Sequence, residues 1–312
     1  MKRFLIILSI FAILAGAALY YFQTNPPVEI VVVTSDEETD YVEEPENEPG
    51  DETEIVDTDD DMPVVIVAPG SSGFDLEFRG TKLGIGIGRV SVVFADTGKE
   101  YEITANIRPT GIVRQIVSDR MQVWAAGKLD NGKMAVSQFY NASIKNDKKK
   151  TRKEKIHVLD GVATYTKYGK ERKIDADIFD GAADLLTLIF HIGRTLDETG
   201  NCNLSHNGFL DENGFVLTVT DKGKASESGI KRGKKKISEI RCDLVFKNRV
   251  GKVMKDYLFE HEFSKKGKKV RSNMISIYYS KMTGNRFVPV LIKLRDTGVG
   301  EINVTLTKVK AI

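Results

Sequence analysis

The stretch Asp180–Leu196, DGAADLLTLIFHIGRTL, decides the fold. It is the one convincing helix in a body that otherwise reads as strands. Asp180 is placed to cap its N-terminus by accepting hydrogen bonds from the first free N–H groups. Ala182, Leu185, Leu186, Ile189, Phe190 and Ile192 then leave almost no polar face, and a helix apolar all round must be buried. At this length it is too short to cross a bilayer. The spacing therefore predicts a helix over about 181–196 packed into the hollow of a curved sheet, with Leu185, Leu186, Ile189 and Phe190 as core or cavity-lining positions.

The flanking sequence supplies the sheet. FDLEFRG (Phe74–Gly80), LGIGIGRVSVVF (Leu83–Phe94) and YEITANIR (Tyr101–Arg108) alternate apolar and polar residues with turn residues between them. Asp130-Asn131-Gly132 is a hairpin signal. Phe209–Val219, Lys236–Phe246, Val253–Phe263, Arg271–Tyr279, Phe287–Leu294 and Glu301–Val309 continue the pattern after the helix. The fold class expected is mainly β: a large antiparallel meander curled into an open or incomplete barrel around the helix. The alternative is a two-sheet β-sandwich. Gly84, Gly86 and Gly88 have G-x-G-x-G spacing and precede a strand, which argues against a nucleotide loop. They read instead as room for a close approach, with the helix as the candidate.

The N-terminal segment sets the compartment. Lys2 and Arg3 precede Phe4–Phe22, nineteen residues without a charge. As a helix they span about 28 Å, close to a hydrocarbon core. The two bases favour a cytoplasmic N-terminus and export of the rest. Ala15-Gly16-Ala17 offers a cleavage site if the segment is instead a signal sequence. The expected domains are 1–23, anchor or signal; 24–72, an acidic linker too poor in apolar residues to fold; and 73–312, a β-rich exported domain. The expected location is the bacterial inner membrane, single-pass with the domain in the periplasm, or the periplasm after cleavage.

Charge is divided unevenly. The chain carries +2 overall, yet residues 1–61 hold two bases against sixteen acids, so the body is strongly basic. Three basic runs, Lys148–Lys155, Lys231–Lys236 and Lys265–Lys269, sit where hairpin tips are expected. Lysine there blunts edges, or meets anionic head groups or lipopolysaccharide. Lys148, Lys149, Lys150, Lys234, Lys235 and Lys236 are the candidate contacts. Cys202 and Cys242 can pair outside the cytoplasm or remain buried thiols. The four histidines lack metal-ligand spacing, and His191 reads as a core histidine with a satisfied ring nitrogen. No catalytic motif is visible, so a non-enzymatic protein without cofactor or metal is expected, and an exported chain is a poor candidate for nucleic acid.

The pieces F-D-L-E-F-R-G…L-G-I-G-I-G-R-V, Y-E-I-T-A-N-I…T-G-I-V and D-G-A-A-D-L-L-T-L-I-F, with G-N-C-N and I-R-C-D-L-V-F, resemble the exported bacterial family called domain of unknown function 3108. The resemblance runs from about Phe74 to the C-terminus. Ser137-Gln138-Phe139-Tyr140 departs from it where members often carry a proline-aromatic pair. It implies a periplasmic, mostly β protein and supplies no catalytic residues. The function expected is binding of an apolar or amphipathic envelope component, such as lipid or lipopolysaccharide, or support of envelope integrity. The alternatives are a membrane-tethered protein–protein interaction module and an envelope hydrolase with an unrecognised site.

Overall fold

In the computed structural model the described residues are 71–312 without 111–119, 131–132, 146–149, 160–161, 168–169, 175, 211–212, 233–234, 251–262, 266–267, 271–274, 283–284 and 296–300. The segment 1–23, with Phe4–Phe22, and the expected linker 24–72 up to residue 70 lie outside them. Among the described residues no helix is long and apolar enough to cross a membrane.

The first eight strands form a continuous meander: β1 (Ser72–Lys82), β2 (Ile85–Asp96), β3 (Glu100–Pro109), β4 (Arg120–Asp130), β5 (Lys133–Lys145), β6 (Lys150–Leu159), β7 (Val162–Lys167) and β8 (Lys170–Ile174). A short strand β9 (Ala183–Asp184) leads into the helix α1 (Leu185–Thr199). Then come β10 (Leu204–Leu210), β11 (Asn213–Ala225), β12 (Lys231–Arg232), β13 (Lys235–Lys236), β14 (Glu239–Val250), β15 (Phe263–Lys265), β16 (Lys268–Val270), β17 (Ile275–Lys281), β18 (Phe287–Leu294) and β19 (Ile302–Ala311). Two-stranded β12–β13 and β15–β16 are separate; the other fifteen strands make one sheet.

That sheet curls almost completely round on itself. Its order runs β8-β7-β6-β5-β4-β3-β2-β1-β19-β18-β17-β14-β11-β10-β9, and the Val136 N–H of β5 donates to the carbonyl of Ala182, beside β9, at 3.1 Å. Twelve strands, β5 round to β9, thus form a nearly closed barrel, and β6–β8 continue past the seam. The expected single curled meander is what forms, and the two-sheet sandwich is not. All pairings are antiparallel except β9 with β10, where α1 carries the chain back to start the next strand in the same direction.

Alternation along the strands fixes which side faces in. On β1, Phe74, Leu76 and Phe78 are buried while Glu77 and Arg79 are exposed. The interior is filled partly by α1. Leu188, Ile192 and Leu196 are at most 1% exposed. Gly193 lets the helix approach β18: a Cβ there would lie 2.9 Å from the Phe287 carbonyl oxygen. The Tyr279 hydroxyl donates to the Ile189 carbonyl at 2.7 Å and ties the helix to β17.

The helix starts later than its sequence suggests. Asp180 is exposed, and the cap is Asp184, whose carboxylate accepts from the N–H of Leu186 at 2.9 Å and of Thr187 at 3.2 Å. Residues 180–184 are drawn into a turn and β9 because the barrel seam uses their backbone. Gly200, left-handed at φ 76°, ends the helix with its N–H on the Leu196 carbonyl. Cys202 and Cys242 are disulfide-bonded, Cα atoms 6.2 Å apart, and join the helix exit to β14.

Other local expectations change. Phe209–Val219 is not one strand but the β10–β11 hairpin, and Val253–Phe263 lies mostly outside the described residues. The glycines of β1–β2 do not receive the helix. Gly84 takes the left-handed position of the turn at φ 80°, Gly86 lies under the Arg79 guanidinium, and Gly88 faces the Arg108 carbonyl. Leu188→Ala should cost about 2–5 kcal/mol because it opens a void in a filled region. Leu186→Ala should cost clearly less, because that side chain already borders open space. Urea melts of the two variants check this ordering.

Candidate functional site: an apolar cavity at one end of the barrel

The helix fills only part of the barrel. Beside its N-terminal half lies an apolar cavity of about 160 Å³. Leu185, Leu186, Ile189 and Phe190 all line it, so the structure brings together the four helix residues singled out from sequence. The first three are half-buried because they face this space, whereas Leu188 and Ile192 on the other side of α1 are fully buried. Phe190 stacks on Phe94 with ring centres 4.6 Å apart, which sets the floor. Strands from all round the barrel supply the walls, among them Phe78, Val90, Ile107, Val123, Ile275 and Leu294.

The cavity lies towards one end. Phe78 and Val90 lie mid-strand on β1 and β2, Ile107 lies in the last third of β3, Val123 in the first half of β4, and Leu294 closes β18. These positions run from the middle of the barrel to the end that carries the β1–β2 turn. Val90 and Ile107 are only half-buried although they point inward, so among the described residues the space opens at that end.

The opposite end is shut by Arg286. Its guanidinium pairs with Asp96 at 3.0 Å, donates to Ser72 Oγ at 3.0 Å, and lies 3.6 Å from Asp197 near the end of α1. It also sits 5.4 Å from the Phe74 ring centre and 5.9 Å from that of Phe94. Asp197 in turn accepts from the Phe287 N–H at 2.9 Å, and burial raises its pKa above the ordinary carboxylate value.

Two polar side chains, Asn141 and Asp184, reach the cavity wall. Asp184 is committed to the helix. It accepts the two capping N–H groups, and its second oxygen accepts from Thr187 Oγ1 at 2.5 Å. Burial pushes its pKa up, and these hydrogen bonds oppose the rise. Asn141 is different. It follows Phe139 on the inner face of β5, and its buried Oδ1 has no hydrogen-bond partner among the described residues. A buried amide oxygen left unpaired is costly, and an unmet acceptor in an apolar wall suits a ligand's donor group. Sequence reasoning passed over Asn141. The signal available was a polar residue at the inward phase of an otherwise apolar strand.

The basic runs are dispersed. Lys235 and Lys236 are exposed on β13, at the expected hairpin. Lys150 begins β6, so the Lys148–Lys155 run lies mainly along a strand rather than at a tip. Lys148, Lys149 and Lys234 are outside the described residues. His191 is buried in the core as expected, but its Nδ1 has no partner among the described residues; the ring packs edge-on against His206 with centres 4.8 Å apart. Among the described residues no group of three or more His, Cys, Asp or Glu is arranged to hold a metal ion.

No family model matches the chain, and no curated protein matches it. Among solved structures it is similar to a β-barrel-like protein of domain of unknown function 1849 from Brucella abortus. The two are 11% identical, with 78% of this chain and 97% of that one covered and a TM-score of 0.42.

The histidine pair makes stability depend on pH. Burial, then the neighbouring His206, Arg194 and Lys133, push His191 from 6.5 down to about 3. Burial also lowers His206, against the hydrogen bond its ring makes with the Asn207 carbonyl. The unfolded chain therefore binds protons near pH 6.5 that the folded chain refuses, and stability falls as pH drops from about 6.5 towards 3. Thermal melts at pH 7 and pH 4 should show this loss, and His191→Gln should reduce it. An identical pH dependence in His191→Gln would contradict the assignment.

Proposed function

We propose that this protein is a non-enzymatic cell-envelope protein that holds an apolar or amphipathic envelope component in the cavity beside α1. The observation that carries this reading is an apolar cavity, open at one end, whose wall offers one unpartnered polar group, Asn141 Oδ1. A volume of about 160 Å³ compares with engineered apolar cavities of about 150 Å³ that stay dry and bind benzene. It therefore takes a segment of an acyl chain rather than a whole lipid, and the remainder extends through the open end. Asn141 lies nearer that end than Phe139 does, where it meets a hydroxyl or amide N–H of the amphiphile's polar part.

The reading includes export. The disulfide supports an oxidising compartment, since such bonds persist outside the cytoplasm. Phe4–Phe22 then serves as inner-membrane anchor or as a cleaved signal, and the linker expected at 24–72 as the tether. Membership of the exported family called domain of unknown function 3108, suggested by the motifs, belongs to this same proposal.

Native mass spectrometry with lipid extraction on the full chain tests the ligand. The wild type should carry or rebind an amphiphile such as a long-chain fatty acid. Leu186→Trp, which fills the cavity, should lose it while keeping a similar melting temperature. A wild type that neither carries nor rebinds an amphiphile would contradict the reading.

A further inference from the structure

The turn between β1 and β2 carries the two most exposed large apolar side chains among the described residues, Leu83 at 83% and Ile85 at 51%. Leu83 and Gly84, the two central residues, have φ of 51° and 80°. Positive φ at both is the demand of a type I′ turn, which favours Asn-Gly or Gly-Gly. A leucine there is held in a left-handed conformation that costs energy, with its side chain in water. Neither property helps the fold, since the turn would close more easily with asparagine.

Behind the tip stands a row of arginines. Arg79 of β1 is directly opposite Arg89 of β2, and Arg89 is directly opposite Arg108 of β3. All three are exposed on the outer face. Directly opposed side chains have Cβ atoms about 5 Å apart, and like charges so placed destabilise a sheet. None of the three forms an ion pair with a described residue. The pairing Ile107 with Met121 continues the register so that Arg120 of β4 follows Arg108. The Arg79 guanidinium lies along the strand over Gly86, where a Cβ would be 3.1 Å from Nη2, and so stands beside Ile85.

Spacing matches a membrane interface. Arg79 is four residues from Leu83, about 13 Å along a strand and about 10 Å along a tilted barrel axis. Apolar groups of peripheral proteins sit about 5–10 Å into the head-group boundary, with cations at the phosphates above them.

We propose that the β1–β2 turn is a membrane-docking tip: Leu83 and Ile85 enter the head-group boundary of an anionic phospholipid bilayer, and Arg79, Arg89 and Arg108 bind lipid phosphates. The cavity opens at this barrel end, so docking sets its mouth against the bilayer. Docking needs no bound ligand, so its failure and that of the cavity reading are separable.

Both described cysteines are in the disulfide, so one added thiol can be labelled selectively. Leu83→Cys and Lys99→Cys place a fluorophore on exposed turns at opposite barrel ends. The full chain is mixed with vesicles of phosphatidylcholine containing about 30 mol % phosphatidylglycerol and lipids brominated on the acyl chains. Quenching of the label at position 83 but not at 99, weaker in pure phosphatidylcholine, is expected. Arg79→Gln/Arg89→Gln/Arg108→Gln together should weaken that docking by about tenfold or more. Equal quenching at both positions, or none at either, would overturn the proposal. Quenching at 83 that the triple variant leaves unchanged would overturn the phosphate contacts.

Discussion

A ring of twelve strands encloses more space than its own inward side chains can fill, and the rest of the structure follows from how that space is occupied. About eight strands make a barrel that side chains alone can pack; wider ones need a plug or keep a lumen. Here α1 is the plug. Its placement explains the parallel β9–β10 pair, the cap moved to Asp184, the close approach at Gly193 and the disulfide that fixes the helix exit. The plug is shorter than the barrel interior requires, and the unfilled remainder is the cavity.

The two ends of the barrel have opposite chemistry. At one, Arg286 gathers Asp96, Asp197 and two aromatic rings into a closed floor. At the other, the inner wall is apolar, the outer wall carries an arginine row without an ion pair to any described residue, and the connecting turn exposes leucine and isoleucine. A protein that only needed to be stable would distribute these groups otherwise.

Much of the fold was legible because period-two alternation and an all-apolar helix are strong local signals. Tyr101–Arg108 lies in the strand its alternation suggests, and Leu185, Leu186, Ile189 and Phe190 lie where a helix inside a sheet puts them. Boundaries were less legible where tertiary bonding competes with local propensity. Asp180 and Asp184 both make good caps, and the seam with β5 decides between them. The β10–β11 turn was legible too, since Asp211-Glu212-Asn213-Gly214 interrupts the apolar residues of Phe209–Val219 with turn formers. The site's finer features were beyond reach. Asn141 matters because its neighbours leave it unpaired, and the arginine row exists only once three strands are in register.

The most direct measurement is methyl NMR of the full chain with a long-chain fatty acid, read by intermolecular nuclear Overhauser effects, which report only direct contact. Cross-peaks to the acyl chain should appear at the methyl groups of Leu185, Leu186 and Ile189, which face the cavity, and not at those of Leu188 and Ile192 across the helix. Cross-peaks confined to the outer surface, or none at all, would contradict the claim that the space beside α1 receives an amphiphile.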